Sequence, residues 1–242
     1  MDMKISGSGH IAAGEYENVR ISGSARLSGL LRCESFHVSG SSHGEELECK
    51  KDCKVSGSSS FSKNANAESM AISGAFSCGQ DITVTEKLTC SGCLKIGGSL
   101  KCGSLSISGS AKARGDIESE IVNIRGKINC DGLLNAEEIT IKFDSGMEIG
   151  NIGGSKIAIN KDTKRKVNVR LPFLSSLINA NCGNLCVKNS IEGDDIALEG
   201  VTAQRVSGRI VAIGAGCNIN LVQYSENVEI SPEAKIGTVE QV

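Results

Sequence analysis

Residues 21–58 read ISGSARLSGLLRCESFHVSGSSHGEELECKKDCKVSGS, and one phrase occurs three times within them: Ile21-Ser22-Gly23-Ser24, Val38-Ser39-Gly40-Ser41 and Val55-Ser56-Gly57-Ser58. Working outward, the phrase appears upstream as Ile5-Ser6-Gly7-Ser8. Downstream it continues in shortened form as Ile72-Ser73-Gly74, Cys90-Ser91-Gly92, Ile107-Ser108-Gly109 and Ile124-Arg125-Gly126. The steps between leading residues are 16, 17, 17, 17, 18, 17 and 17. A fixed short period of this kind marks a repeat architecture, in which each unit buries its apolar side chains only by stacking on its neighbours.

The side chains inside one unit say what is stacked. Counting from the leading residue, apolar positions fall at offsets 0, 4, 6, 10, 12 and 15, as in Ile21, Ala25, Leu27, Leu31, Cys33 and Phe36. Cys90, Leu94, Ile96, Leu100, Cys102 and Leu105 repeat the set, as do Ile124, Ile128, Cys130, Leu134, Ala136 and Ile139. Ile72, Phe76, Cys78, Ile82 and Val84 follow it with Leu88 one place late, and the unit from Val38 slips by one at Leu47 and Cys49 before recovering at Cys53. Pairs two apart place both side chains on one face of a strand, whereas a helix needs spacings of three and four throughout. Each unit therefore reads as three short strands joined by corners, and the corner glycines at offset 2, with Gly29, Gly98, Gly115 and Gly132 at offset 8, are expected to supply positive φ. The predicted fold is all-β: a right-handed, three-sided parallel β-helix of about 17 residues per coil, the handedness following the general preference of parallel crossovers.

Composition fits a narrow interior. Trp is absent and the aromatics are five Phe and two Tyr, so Ile, Val, Leu, Ala and Cys must fill the core. Gly and Pro together make 31 of 242 residues, below the level of a disordered chain. A net charge of -2 with so few aromatics excludes an obvious nucleic-acid surface. No run long enough to span a bilayer occurs, and Met1 to His10 lacks the basic and apolar regions of a secretory signal, which predicts a cytoplasmic protein. Eleven cysteines there are expected to be reduced.

From residue 141 the rhythm loosens through Ile141, Met147, Ile149, Ile152, Ile157 and Ile159, and the basic run KDTKRKVNVR at 161–170 interrupts it. Residues 171–184, with Pro172, read as a crossing segment or loop. Val187, Ile191, Ile196, Leu198, Val206, Ile213 and Ile219 suggest resumed strands. The expected organisation is a solenoid over 1–160 and a β extension over 161–242 that either continues the solenoid or caps it.

The ISGS and VSGS corners, the 17-residue coils and the aliphatic, aromatic-poor interior over residues 5 to about 145 resemble the bactofilins, polymer-forming bacterial cytoskeletal proteins. The tail, with Ile191-Glu192-Gly193-Asp194-Asp195-Ile196-Ala197-Leu198-Glu199, Val206-Ser207-Gly208 and Ile213-Gly214-Ala215-Gly216-Cys217, is similar to a longer subgroup of that family. The resemblance implies nucleotide-independent, end-to-end self-assembly and a scaffold role in cell shape, envelope organisation or motility. The partners it implies are the chain itself and envelope or motility proteins, with a peripheral location at the inner face of the membrane as one expectation and no cofactor.

Read from the residues, the edge of the first coil is the candidate assembly interface: Met3, Ile5, Ile11, Val19 and Ile21, since no polar segment precedes it and an open strand edge adds further strands. Other chemistry-bearing residues have plainer readings beside the functional ones. Cys90/Cys93, Cys49/Cys53 and Cys182/Cys186 have spacings that suit zinc thiolates, yet Cys33, Cys78, Cys90, Cys102 and Cys130 occupy core offsets, leaving Cys93 as the reactive candidate. His10, His37 and His43 fall at outward or corner offsets, where a β-helix acyltransferase would need a general base but solvated rings suffice. The corner serines, among them Ser6, Ser22, Ser39, Ser56 and Ser73, read as turn chemistry before carbohydrate contact, and Asp194 and Asp195 as a turn before a cation or hydrolytic site. The basic run at 161–170 reads as a solvated loop before a contact for anionic lipid. The leading expectation is a non-enzymatic scaffold; the alternatives are a monomeric adaptor and a β-helix enzyme or glycan-binding protein.

Overall fold

A computed structural model describes residues 1–161 and 184–242. The cations of the basic run after Lys161, the segment 171–183 with Pro172, and Cys182 lie outside the described residues. The described residues form 22 strands, all paired in parallel in one continuous sheet, with no helix. The sheet winds as a β-solenoid of about 13 turns. One ladder of register partners runs its whole length: Ile5, Ile21, Val38, Val55, Ile72, Cys90, Ile107, Ile124, Ile141, Ile159, Leu198, Ile213 and Ile230. Leu198 thus lies directly on Ile159, and Leu185 on Met147, so residues 184–242 continue the column that residues 1–161 begin.

The repeat dictates this stacking because every offset named above points inward. Leu27, Ile96 and Cys130, from three different coils, are 3%, 3% and 1% exposed. Each coil has three sides, taken in chain order. In the coil from Cys90 the first side buries Leu94 and Ile96, the second Leu100 and Cys102, and the third Leu105 and Ile107. The interior is filled by stacking large side chains beside small ones: Phe61 lies between Gly44 and Cys78, and Phe76 between Ser59 and Leu94. Phe36, Phe61 and Phe76 form an aromatic run with ring centroids 5.8 and 5.9 Å apart, an arrangement that adds to simple area burial. Room for it comes from Gly44, the register partner of Phe61, where a Cβ would lie 2.8 Å from the Phe61 ring. Beside it the buried hydroxyls of Ser42 and Ser59 satisfy one another at 2.7 Å. The slip read at Leu47 and Cys49 is a real irregularity: pairing shifts between Cys33 and Phe36 against their partners Cys49 and Cys53.

The corner glycines serve a different end from the one expected. None at offset 2 has positive φ, and of the four singled out at offset 8 only Gly29 does, at +66°. What the corner requires is close approach. A Cβ on Gly23 would lie 2.0 Å from the carbonyl oxygen of Gly7 in the coil before, and one on Gly57, Gly74 or Gly92 would lie 1.9 Å from the oxygen of Gly40, Gly57 or Gly74 respectively. The backbone of the coil stacked before occupies the side-chain position. Around this point the Ser and Gly amides both donate to the carbonyl of the leading residue one coil earlier, as Ser73 and Gly74 do to Val55 at 2.8 and 3.1 Å.

Candidate functional site: the column ends and outer sides

Inside the column each strand is paired on both edges; the first and last coils have, among the described residues, a partner on one edge only. At the N-terminal end Met3–Ile5 and Ser8–Ile11 pair only with the coil that follows, and Met1 and Asp2 extend the same edge through Glu17 and Asn18. Of the five residues expected at this interface, Met3 and Ile5 are half-buried on the edge, but Ile11, Val19 and Ile21 are 1%, 0% and 1% exposed. These three belong to the core and cannot be offered to another chain. They stack on Leu27, Phe36 and Val38 of the coils that follow. Tyr16, which the period does not single out, is half-buried against the core beside them; its hydroxyl donates to the Ala12 carbonyl at 3.1 Å, while Ile5 folds into the space left by Gly9. The protein's other tyrosine, Tyr224, occupies the same inward column near the far end, where it pairs with Gly208. Two tyrosines in the whole chain, both in one column and near opposite ends, was a signal available in the sequence.

At the far end Lys235–Gln241 pairs only with Asn218–Ile230, and its other edge has no partner among the described residues. Val228 and Ile236 are half-buried, and Ile230 and Val239 are 38% and 43% exposed. The tail around Val228 and Ile230 is therefore the outermost layer of the column and not a cover over it.

Away from the ends, the candidate catalytic residues do not converge. His10 and His43 lie on the first side and His37 on the third; they engage Ser28 at 3.2 Å, Ser60 at 2.7 Å and the Asp52 carboxylate respectively. The His37 ring, with Lys54 adding to it, holds the Asp52 carboxyl below the usual range. Asp195 is engaged by Arg209 at 2.5 Å, and Arg209 reaches Glu226 at 2.7 Å, so this carboxylate is part of an ion-pair ladder. The corner serine amides are spent on the hydrogen bonds between coils described above.

Chain comparisons fit what the geometry leaves open. Two uncharacterised proteins of Bacillus subtilis (strain 168) are similar to this chain over part of their length. YhbF is 32% identical over 106 residues, 43% of this chain and 40% of the relative, and YhbE is 31% identical over 107 residues, 44% and 42%. The chain thus spans about two fifths of the curated relatives it matches. No family model matches it, and no solved structure does.

The thiols divide by side. Cys33, Cys49, Cys53, Cys78, Cys90, Cys102, Cys130 and Cys217 are buried, Cys93 is half-buried and Cys186 is exposed. Burial pushes the thiols of Cys90, Cys102 and Cys130 up to about 11. Cys90 faces inward and Cys93 outward, so the spacing that suggested zinc places the two on opposite faces of the sheet. Among the described residues no three His, Cys, Asp or Glu side chains are placed to hold a metal ion. No described helix is long and apolar enough to cross a membrane.

Proposed function

We propose that the chain is a structural scaffold of the bactofilin kind, whose columns join edge to edge at their ends without nucleotide and present their long sides to envelope, shape or motility proteins at the cytoplasmic face of the membrane. The observation that carries this reading is the pair of outer coils. Among the described residues each has backbone donors and acceptors unpaired on one edge and inward aliphatic side chains over which no described layer lies: Met3 and Ile5 at one end, Val228, Ile230, Ile236 and Val239 at the other. A strand edge of this kind is a template for another strand about 4.8 Å away, and the added coil would cover both the hydrogen-bonding groups and the apolar surface.

One observation favours the alternative of a discrete adaptor. Tyr16 in the first coil is half-buried against the core with its hydroxyl engaged by Ala12, so an incoming coil must pack on it or displace it.

Gly7 separates the two readings. Nothing lies within 4 Å of a Cβ built on it, unlike its equivalents in later coils. Gly7→Ala therefore costs the single column nothing but places a methyl where the backbone of a docked coil would pass. The expected result is an unchanged melting temperature with assemblies reduced to single columns under the electron microscope at neutral pH. Wild-type protein that stays as single columns, or Gly7→Ala assemblies as long as wild type, would overturn end-to-end growth.

A further inference from the structure

On the second and third sides several cations are matched to carboxylates in a neighbouring coil: Arg32 to Glu48 at 2.7 Å, Lys101 to Glu118 at 3.0 Å, Lys156 to Glu138 at 3.4 Å and Arg209 to Glu226 at 2.7 Å. The first side departs from this. From Ser24–Leu27 to the strand beginning at Lys127, its outward positions hold Ser, Ala, Cys, His, Asn, Arg and Lys, and no carboxylate. Lys95 stacks directly on Lys112, Lys127 sits diagonally beyond it, and Arg114 and Arg125 stand at the two bounding corners. All five are exposed, and none has an ion-pair partner among the described residues. Like charges on directly opposed positions of neighbouring strands repel, so the free column holds this arrangement at a cost.

The vertex between the second and third sides lies opposite the first side, and there the sign reverses. Glu68, Glu86, Glu120 and Glu137 are exposed without an ion-pair partner among the described residues, next to the paired Glu118 and Glu138; Lys87 is the unpaired cation nearby. Glu118, Glu120 and Glu137, with Lys101 paired to Glu118, line a shallow groove of about 550 Å³. The two patches also share a height. Glu118 and Glu120 follow Lys112 and Arg114 in the same coil, and Glu137 follows Lys127 in the next.

We propose that columns associate side by side, in the same direction and without axial slip, the cationic first side of one chain lying against the acidic vertex of a second copy. A sideways translation alone brings Lys112 and Lys127 opposite the groove of the neighbour, so the arrangement needs no rearrangement of either chain. The contact joins two different surfaces, front to back, and does not close; it extends into a flat raft of parallel columns. It is independent of end-to-end growth, because the ends set the length of an assembly and the flanks its width. Its strength depends on salt, since exposed charges beyond about 10 Å are screened at 0.1 M.

The test uses the full chain and two charge reversals at exposed positions, K95E/K112E/K127E and E120K/E137K, with circular dichroism and thermal unfolding showing that both fold as wild type. Sedimentation velocity and electron microscopy at low salt are expected to show rafts for wild type, dispersed by about 1 M salt, where screening acts within about 3 Å. Each variant alone loses side-by-side association, because both its flanks then carry one sign. An equimolar mixture regains it, the acidified side of one meeting the basic vertex of the other. End-to-end length is unchanged throughout, which separates this result from a failure of the terminal edges. Either variant forming rafts alone, or a mixture that stays dispersed, overturns the proposal. So does wild type that forms no rafts but sediments with phosphatidylglycerol vesicles in a manner lost in K95E/K112E/K127E, since the occupant of the first side is then a lipid surface.

Discussion

Replacing Gly74 by Ala tests the inference that the corners need absence of a side chain and not an unusual backbone angle. The added Cβ would lie 1.9 Å from the Gly57 oxygen, 2.3 Å from the Ser56 oxygen and 2.7 Å from the Ser56 carbonyl carbon. All three are rigid backbone atoms, so the coil must lift by about 1 Å against a strand spacing of about 4.8 Å. That displacement weakens the bonds donated by Ser73 and Gly74 to Val55 and by Ala75 to Gly57, at 2.8, 3.1 and 2.8 Å. Loss of two such bonds at about 1 kcal/mol each, with about 1–3 kcal/mol of overpacking strain, gives a destabilisation of roughly 3–5 kcal/mol. For a chain of this size each kcal/mol moves the melting temperature by about 2–4 °C, so a fall of roughly 10 °C is expected by calorimetry or circular dichroism. Gly7→Ala, the same substitution in the same phrase, is the internal control. A Gly74→Ala protein that melts within about 2 °C of wild type, a shift worth no more than about 1 kcal/mol, would refute the close-approach account.

Two further outcomes follow from the interior. In native protein at pH 8, Cys93 and Cys186 are expected to react with a maleimide while the eight buried thiols react only after unfolding, which mass spectrometry of digested peptides reads directly. Ser42→Ala leaves the buried Ser59 hydroxyl without its 2.7 Å partner and should cost about 1–2 kcal/mol, and Ser42→Ala/Ser59→Ala together should cost less than the sum, as a double-mutant cycle on denaturant unfolding will show.

The repeat was legible because stacking coil on coil forces an inward side chain at fixed offsets, so Leu27, Ile96 and Cys130 could be assigned to one interior from their spacing alone. The misread features share a cause: they depend on what the next coil does, and a period shows which residues repeat without showing how near they come. The glycines at offset 2 look identical whether they serve a positive φ or a carbonyl at about 2 Å, and only the stacked backbone distinguishes them. Counting from the start of the chain puts Ile11, Val19 and Ile21 on the open edge, whereas stacking on Leu27, Phe36 and Val38 buries them. Strands past residue 184 are legible, but whether they continue the column or cap it is not, because the leading residue after Ile159 arrives only at Leu198, far outside the normal step. Assembly through the ends stands where the sequence left it, on the resemblance and on the open edges together.

That gap in the period has a mechanical meaning. The Lys161 ammonium donates to the Asn184 side-chain oxygen at 3.3 Å, so the two places where the polypeptide leaves and re-enters the ladder are neighbours in space although 22 residues separate them. Coils on either side are bound to each other directly, Ile159 to Leu198, and not through the intervening stretch. The solenoid can consequently carry a graft at this position much as a mast carries a yardarm: tension applied there is borne by a cross-linked junction between two turns instead of unwinding the spool from a loose thread.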